Sequence, residues 1–310
     1  MKKLNSDLVK RVAPYAGLLV LILVFSLTTG GRFVKPRNLT NIIGQSMVTM
    51  IAACGCVFVM AHNNLDFSLG GGCALVAALG FLVTKGQSIW LTLAACILFG
   101  VCCGLVTAAI HIKGKIPAFM SGMCIMFVGR GLVEGLSMNH VMNLSAAALN
   151  YANNTFYFIF VAVVFAVTLV LFNYTKLGKA QKLIGSNPKA AELSGINVAL
   201  YKTLAFLISG VTLGIAAFLT MIRIGSVTKT IGSGLETDVL IALTLGGIPL
   251  TGGASTRIRS AVIGSLTYYV LGNGLTLWGL DANAVYIVKA LIFLATVYLT
   301  MDRKGQKYVL

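Results

Sequence analysis

Apolar runs long enough to cross a bilayer recur along this chain and leave little else from which to build a fold. They fall at residues 13–31, 42–61, 67–84, 90–110, 117–136, 155–175, 203–222, 238–250, 260–279 and 283–301. A helical crossing needs roughly 17–25 residues. The eighth run is too short as drawn, so it either borrows from its flanks or is a broken helix lining a cavity, where irregular backbone is tolerated at membrane depth. Only 10% of the 310 residues are charged, against roughly a quarter in soluble domains. The expected fold is an all-α polytopic membrane protein of about ten transmembrane helices, some broken or short. We expect one transmembrane domain over residues 1–310, with a cytoplasmic loop at 176–202.

The N-terminal run follows a basic start, as in a signal peptide. It is long for a signal core and no A-x-A-like site follows, so it reads as a retained first helix. Charge orients the chain. With the N-terminus inside, 16 Lys and Arg fall on inner segments and six on outer ones, while Arg130 and Lys289 lie within runs. The bias favours both termini in the cytoplasm. It also accounts for the net charge of +16 without nucleic acid. Arg32, Lys35 and Arg37 run against the bias on the outer side. The outer loop 137–154 carries no Lys or Arg and is either a connector or a contact for an external partner.

The segment 176–202, KLGKAQKLIGSNPKAAELSGINVALYK, is a basic polar island. Its middle reads as a short helix. Asn187 is a good N-cap, Pro188 fits the first helical position, and Ala190, Ala191, Glu192 and Leu193 favour helix. Gly195 suits a left-handed stop. Such an element is either an ordinary basic loop or a surface helix that presses into another protein.

Other polar residues have two readings each. Asp66, with His62, Asn63, Asn64 and Ser68 beside it, is either a polar step in a solute path or a cap for the third helix. Arg130 and Glu134, four apart, would pair on one helix face, structurally or along a pore. Lys289 would pair with Asp281 or snorkel to the interface. Glu236 and Asp238 open the eighth run, where acids suit the helix dipole, and they could also rim an outer mouth. Gly246-Gly247 and Gly252-Gly253 bracket Pro249, which argues for a bent element. Gly100/Gly104 and Gly210/Gly214 fit the G-x-x-x-G packing motif. All seven cysteines sit in apolar segments, without metal-ligand spacing, and read as small packing residues.

No Gly-Lys is followed by Ser or Thr, so no phosphate-binding loop is present. No nucleophile, His and acid set is evident, and His62, His111 and His140 are scattered. The chain is therefore read as a non-enzyme, with no metal or cofactor of its own.

LIGSNPKAAELSGINVALYK resembles the cytoplasmic loop of membrane permeases of ribose-type ABC sugar importers, related to the branched-chain amino acid permease superfamily. HNNLDFSLGGG at 62–72 resembles the family's G-G-I-D-L-S-V-G block, and LGGIPLTGG at 245–253 its L-G-G-x-x-L-x-G-G block. Gly272-Asn273-Gly274-Leu275, Lys115-Ile116-Pro117-Ala118-Phe119 and Gly129-Arg130-Gly131-Leu132 are similar to further blocks in the same order. Three departures stand out. Asn63-Asn64 replaces a glycine pair, Lys189 and Glu192 swap the usual charges, and Arg257 and Arg259 enter a stretch that is usually small and apolar.

The resemblance implies a ten-helix permease subunit in the cytoplasmic membrane of a bacterium. Its partners would be a second permease copy or paralogue, two ATP-binding cassette subunits that carry the ATP and Mg, and an extracytoplasmic substrate-binding protein. Coupling to the ATPase would fall on Gly185, Asn187, Pro188, Ala191, Glu192, Leu193 and Gly195. Candidates for the path are Asn63, Asn64, Asp66, Ser68, Arg130, Glu134 and Asn273, and for the outer mouth Glu236 and Asp238. The solute is read as a ribose-like sugar, the few acids in the spans favouring a neutral polyol. A nucleoside, a quorum-signal sugar derivative and a branched-chain amino acid are the alternatives. From another class, a stand-alone ion-coupled secondary transporter would use acids at midplane in broken helices.

Overall fold

The computed structural model describes residues 2–139 and 142–300, so His140, Arg303, Lys304 and Lys307 lie outside the described residues. Each apolar run coincides with a helix. These are α1 (Lys2–Thr28), α2 (Pro36–Ala61), α3 (Leu69–Thr84), α4 (Ile89–Lys113), α5 (Ala118–Asn139), α7 (Asn154–Tyr174), α10 (Val198–Ile224), α11 (Leu235–Leu245), α12 (Arg259–Leu277) and α13 (Ala282–Thr300). The short α6 (Ala146–Leu149) precedes α7, and α8 (Lys176–Ser186) and α9 (Pro188–Leu193) fill the polar island. Among the described residues, five helices (α2, α4, α5, α7 and α10) are long and apolar enough to cross a membrane.

The centre of the bundle is α2, apolar all round and buried over most of its length. A helix of that kind has no solvent or lipid face and must be surrounded. It packs against α7, α10, α11 and α12. The tightest crossing is α4 on α10, and both G-x-x-x-G motifs meet there. A side chain on Gly100 would collide with the carbonyl of Gly210, one on Gly104 with that of Phe206, and one on Gly214 with that of Cys96. Glycine is required because two helix backbones touch. Cys54, Cys56, Cys73, Cys96 and Cys103 are buried as packing residues, and Cys102 and Cys124 are exposed.

The eighth run is a broken helix. α11 has 11 residues, about 16 Å of rise, or half the hydrocarbon core. The chain then turns through Gly247, Gly252 and Gly253, with φ of +88°, +60° and +82°. These angles admit glycine with little strain. A 3-10 turn at Gly253–Ser255 ends this irregular stretch before α12. It runs back to the α9 end of the bundle, where the backbone of Gly252 lies against the carbonyl of Met60.

Candidate functional site

The polar island folds as two helices. α9 forms where the local signals place it. The Asn187 side chain accepts the Ala190 N–H at 3.1 Å, and Pro188 occupies the first helical position. At the other end Gly195 has φ +81°. Its N–H bonds the Glu192 carbonyl at 2.9 Å and that of Ile196 bonds Ala191 at 3.1 Å, the paired bonds of a Schellman stop.

α8 was not anticipated. Its signal was there in Leu177, Ala180, Gln181 and Ile184, spaced as one helical face but masked by the lysines. Thr175 caps it, accepting the Leu177 N–H at 3.2 Å. Glycines seat it: side chains on Gly178 and Gly185 would collide with the carbonyls of Phe172 and Ala61. Gln181, fully buried, donates to the Tyr201 carbonyl at 2.6 Å, tying α8 to the start of α10. Lys182 Nζ lies 4.6 Å from the centre of the Phe172 ring. Burial, and then nearby Arg257, push Lys182 below the ordinary lysine range.

Thus α8 is wedged against the ends of α2, α7 and α10 and against the 3-10 turn after α11. α9 leans on α8 and, more lightly, on α10. Ala191 is its one buried residue, whereas Leu193 is 90% exposed and Lys189 and Glu192 face outward. A rigid mount thus carries a small, solvent-facing head with an apolar tip between two charges.

Beneath it lies a second polar cluster. His62 ends α2, its Nδ1 3.0 Å from the Phe58 carbonyl, and its Nε2 is buried with no bond. Burial, then the Lys202 charge, push this imidazole down to about 3. Lys202 Nζ lies 3.3 Å and Asn64 Nδ2 3.5 Å from Nε2 of His111, whose Nδ1 is 2.7 Å from the Ile116 carbonyl. Sequence reading missed His111 and Lys202, since nothing local marks residues 91 apart as neighbours.

The other candidates do not converge. Asp66 is buried. One oxygen accepts the Ser68 N–H at 3.0 Å and the Ser68 hydroxyl at 2.5 Å, and the other accepts the Ser209 hydroxyl at 2.7 Å. It therefore orders the entry to α3 and ties it to α10. Asn63 is exposed with φ +63°. Asn273 exchanges two amide bonds of 2.9 Å with Asn38.

Two expected pairings are corrected. Arg130 does not pair with Glu134. Its Nη1 reaches the carbonyls of Ile231 at 2.7 Å and Lys229 at 3.4 Å, because the α10–α11 connection lies over that face of α5. Glu134 instead approaches Lys229 at 4.0 Å, with both side chains exposed. Lys289 does not pair with Asp281 or snorkel. It is buried, its ammonium 3.6 Å from the Tyr268 ring centre. The Tyr268 hydroxyl donates to Asp238, so α11, α12 and α13 meet around these three residues. Glu236 is half-buried, one carboxylate oxygen unbonded and pressed against Gly70.

A bundle of long apolar helices that carries a mounted polar head at one end is a multi-pass membrane protein, and its class can be named. The chain belongs to the family described as branched-chain amino acid transport system / permease component, whose model matches residues 38–297. It is 31% identical to the ribose import permease protein RbsC of Escherichia coli (strain K12), over 93% of this chain and 92% of that one. To the ribose import permease protein of Bacillus subtilis (strain 168) it is 30% identical, over 98% and 96%. To the galactose/methyl galactoside import permease protein MglC of Escherichia coli (strain K12) it is 30% identical, over 94% of each. A solved inward-facing structure, described as a metal-chelate type ABC transporter, shares the fold. Its TM-score is 0.54 at 17% identity, covering 91% of this chain and 98% of that one. The motif resemblance is therefore a family relationship.

Proposed function

We propose that this chain is the permease subunit of an ATP-binding cassette importer that carries a ribose-like or other monosaccharide across the cytoplasmic membrane of a bacterium. One observation carries the reading: α9 projects Leu193 from a rigid mount in a chain with no nucleotide motif of its own. The energy must then arrive from another subunit, and α9 is where it would be received. Its shape suits insertion into a cleft of an ATPase that holds the ATP and Mg. Force on α9 passes through α8 to α2, α7, α10 and the broken α11 segment, rocking helices between outward and inward access.

Two permease copies, or a copy and a paralogue, would flank the solute path, with an extracytoplasmic binding protein delivering solute. The charge bias supports ten crossings with both termini in the cytoplasm. The ribose and galactose import permeases among the relatives support a sugar. The reading is tested by uptake of labelled ribose, uridine and leucine into vesicles that hold the chain with its ATPase. ATP-dependent ribose uptake is expected. Uptake by the chain alone, driven by an ion gradient, would overturn the importer reading.

A further inference from the structure

Near the start of α10, distant parts of the chain meet around one histidine. His111, in the last turn of α4, is half-buried. Its Nδ1 lies 2.7 Å from the Ile116 carbonyl, in the connection to α5. A carbonyl only accepts, so Nδ1 carries the proton and Nε2 is a bare acceptor. Two donors are aimed at that nitrogen. Lys202 Nζ of α10 lies at 3.3 Å, and Asn64 Nδ2, from the stretch between α2 and α3, at 3.5 Å. The Phe206 ring of α10 is 5.9 Å from the imidazole, centre to centre.

This tie joins parts of the chain that the α9 mount uses. Tyr201, the residue before Lys202, offers its carbonyl to Gln181 of α8. Asn197, two residues past the Gly195 stop of α9, caps α10 by accepting the Leu200 N–H at 3.0 Å. The start of α10 is therefore fastened to α8 through Gln181 and to α4 through Lys202.

The arrangement needs a neutral ring. A proton on Nε2 turns the acceptor into a donor, and the imidazolium then faces the Lys202 ammonium as a like charge. No carboxylate lies within 4 Å of Lys202 among the described residues to offset it. The other ionisable groups around the ring are His62 at the end of α2 and the exposed Lys113 and Lys115, all bases. Asn64 has a second option. Its amide, turned by half a revolution, presents Oδ1 as an acceptor for the new N–H. An ordinary imidazole takes a proton near pH 6.5, the range in which histidine serves as a switch.

We propose that His111 exchanges partners with pH. Neutral, it ties α10 to α4 through Lys202; protonated, it releases Lys202 and bonds Asn64 instead. Acid therefore loosens the start of α10, where α8 is fastened, and lowers coupled uptake. The exchange stands without the importer reading, and its effect on uptake rests on that reading.

The exchange is tested by NMR on the purified full chain labelled with ¹⁵N at its three histidines. His111→Gln identifies the His111 signals. In the parent at pH 8 these should show the Nδ1–H tautomer. The titration midpoint should rise by about one pH unit in Lys202→Met, which loses the repelling charge, and fall in Asn64→Ala, which loses the acceptor. An Nε2–H tautomer in the parent, or a midpoint that Lys202→Met leaves in place, overturns the proposal. ATP-driven ribose uptake is then compared at pH 7.5 and pH 6 in vesicles that hold the chain with its ATPase. The parent should lose at least half of its uptake between them. His111→Gln, which keeps an acceptor for Lys202, should lose little. Equal losses overturn the link to uptake. A parent with the expected titration and no ATP-driven uptake at either pH supports the exchange and overturns the importer reading.

Discussion

The Ser209 hydroxyl of α10 donates at 2.7 Å to Asp66, which precedes α3, and both residues are buried. The two lie 143 positions apart, and their bond ties the entry of α3 to α10. Leaving a buried carboxylate oxygen without its donor costs about 1–3 kcal/mol. Ser209→Ala should therefore lower the melting temperature by several degrees, and Asp66→Ala by more, because Ser68 loses its acceptor too. If Asp66 met solute directly, Asp66→Asn would instead raise the KM for uptake with little change in melting.

α9 and its mount can be separated. Leu193→Asp and Glu192→Lys alter exposed residues, so melting should stay within a degree of the parent while ATP-driven uptake falls at least tenfold. Gly185→Leu should lower both, because α8 can no longer sit against Ala61. Gly195→Pro should leave insertion intact and uncouple transport. Normal uptake with normal ATPase pull-down in the Leu193 and Glu192 variants would refute coupling through α9.

The α4–α10 crossing should tolerate no side chain. Gly100→Leu or Gly210→Leu places carbons where the opposite backbone lies, an overpacking cost of about 3 kcal/mol or more. The expected result is loss of monodisperse protein on size-exclusion chromatography. Gly17→Ala on α1 meets nothing within 4 Å. It should be neutral or stabilising by up to ~1 kcal/mol through helix propensity.

Acid should destabilise the α9 end through His62. The unfolded chain takes a proton near pH 6.5 that the buried ring refuses until about 3. A depressed folded value means the stability is present above 6.5 and is lost as pH falls toward 3. Within that window each pH unit costs at most about 1.4 kcal/mol. Between pH 7.5 and 5 the parent should lose more melting temperature than His62→Gln. Equal slopes would mean that the ring is hydrated.

How far the sequence could be read depended on the range of the forces involved. Ten apolar runs predicted ten helices because backbone bonding and hydropathy act within each segment. Asn187, Pro188 and Gly195 specified α9 because caps and left-handed stops act within a few residues. The break after α11 was visible in its glycines and Pro249. Partner choice was not legible. Arg130 had a carboxylate four residues away and took the carbonyls of Ile231 and Lys229 instead. Lys289 passed over Asp281 for the ring of Tyr268, and Asn273 bonded Asn38. Which side chains meet depends on how each helix is rotated and how closely it crosses its neighbours. Glycine contacts such as Gly100 against Gly210 set that geometry, and no sequence window contains both sides of them. The chain alone therefore determined the ten apolar helices and α9. The tertiary structure decided what α9 is fastened to and which buried acids are already satisfied.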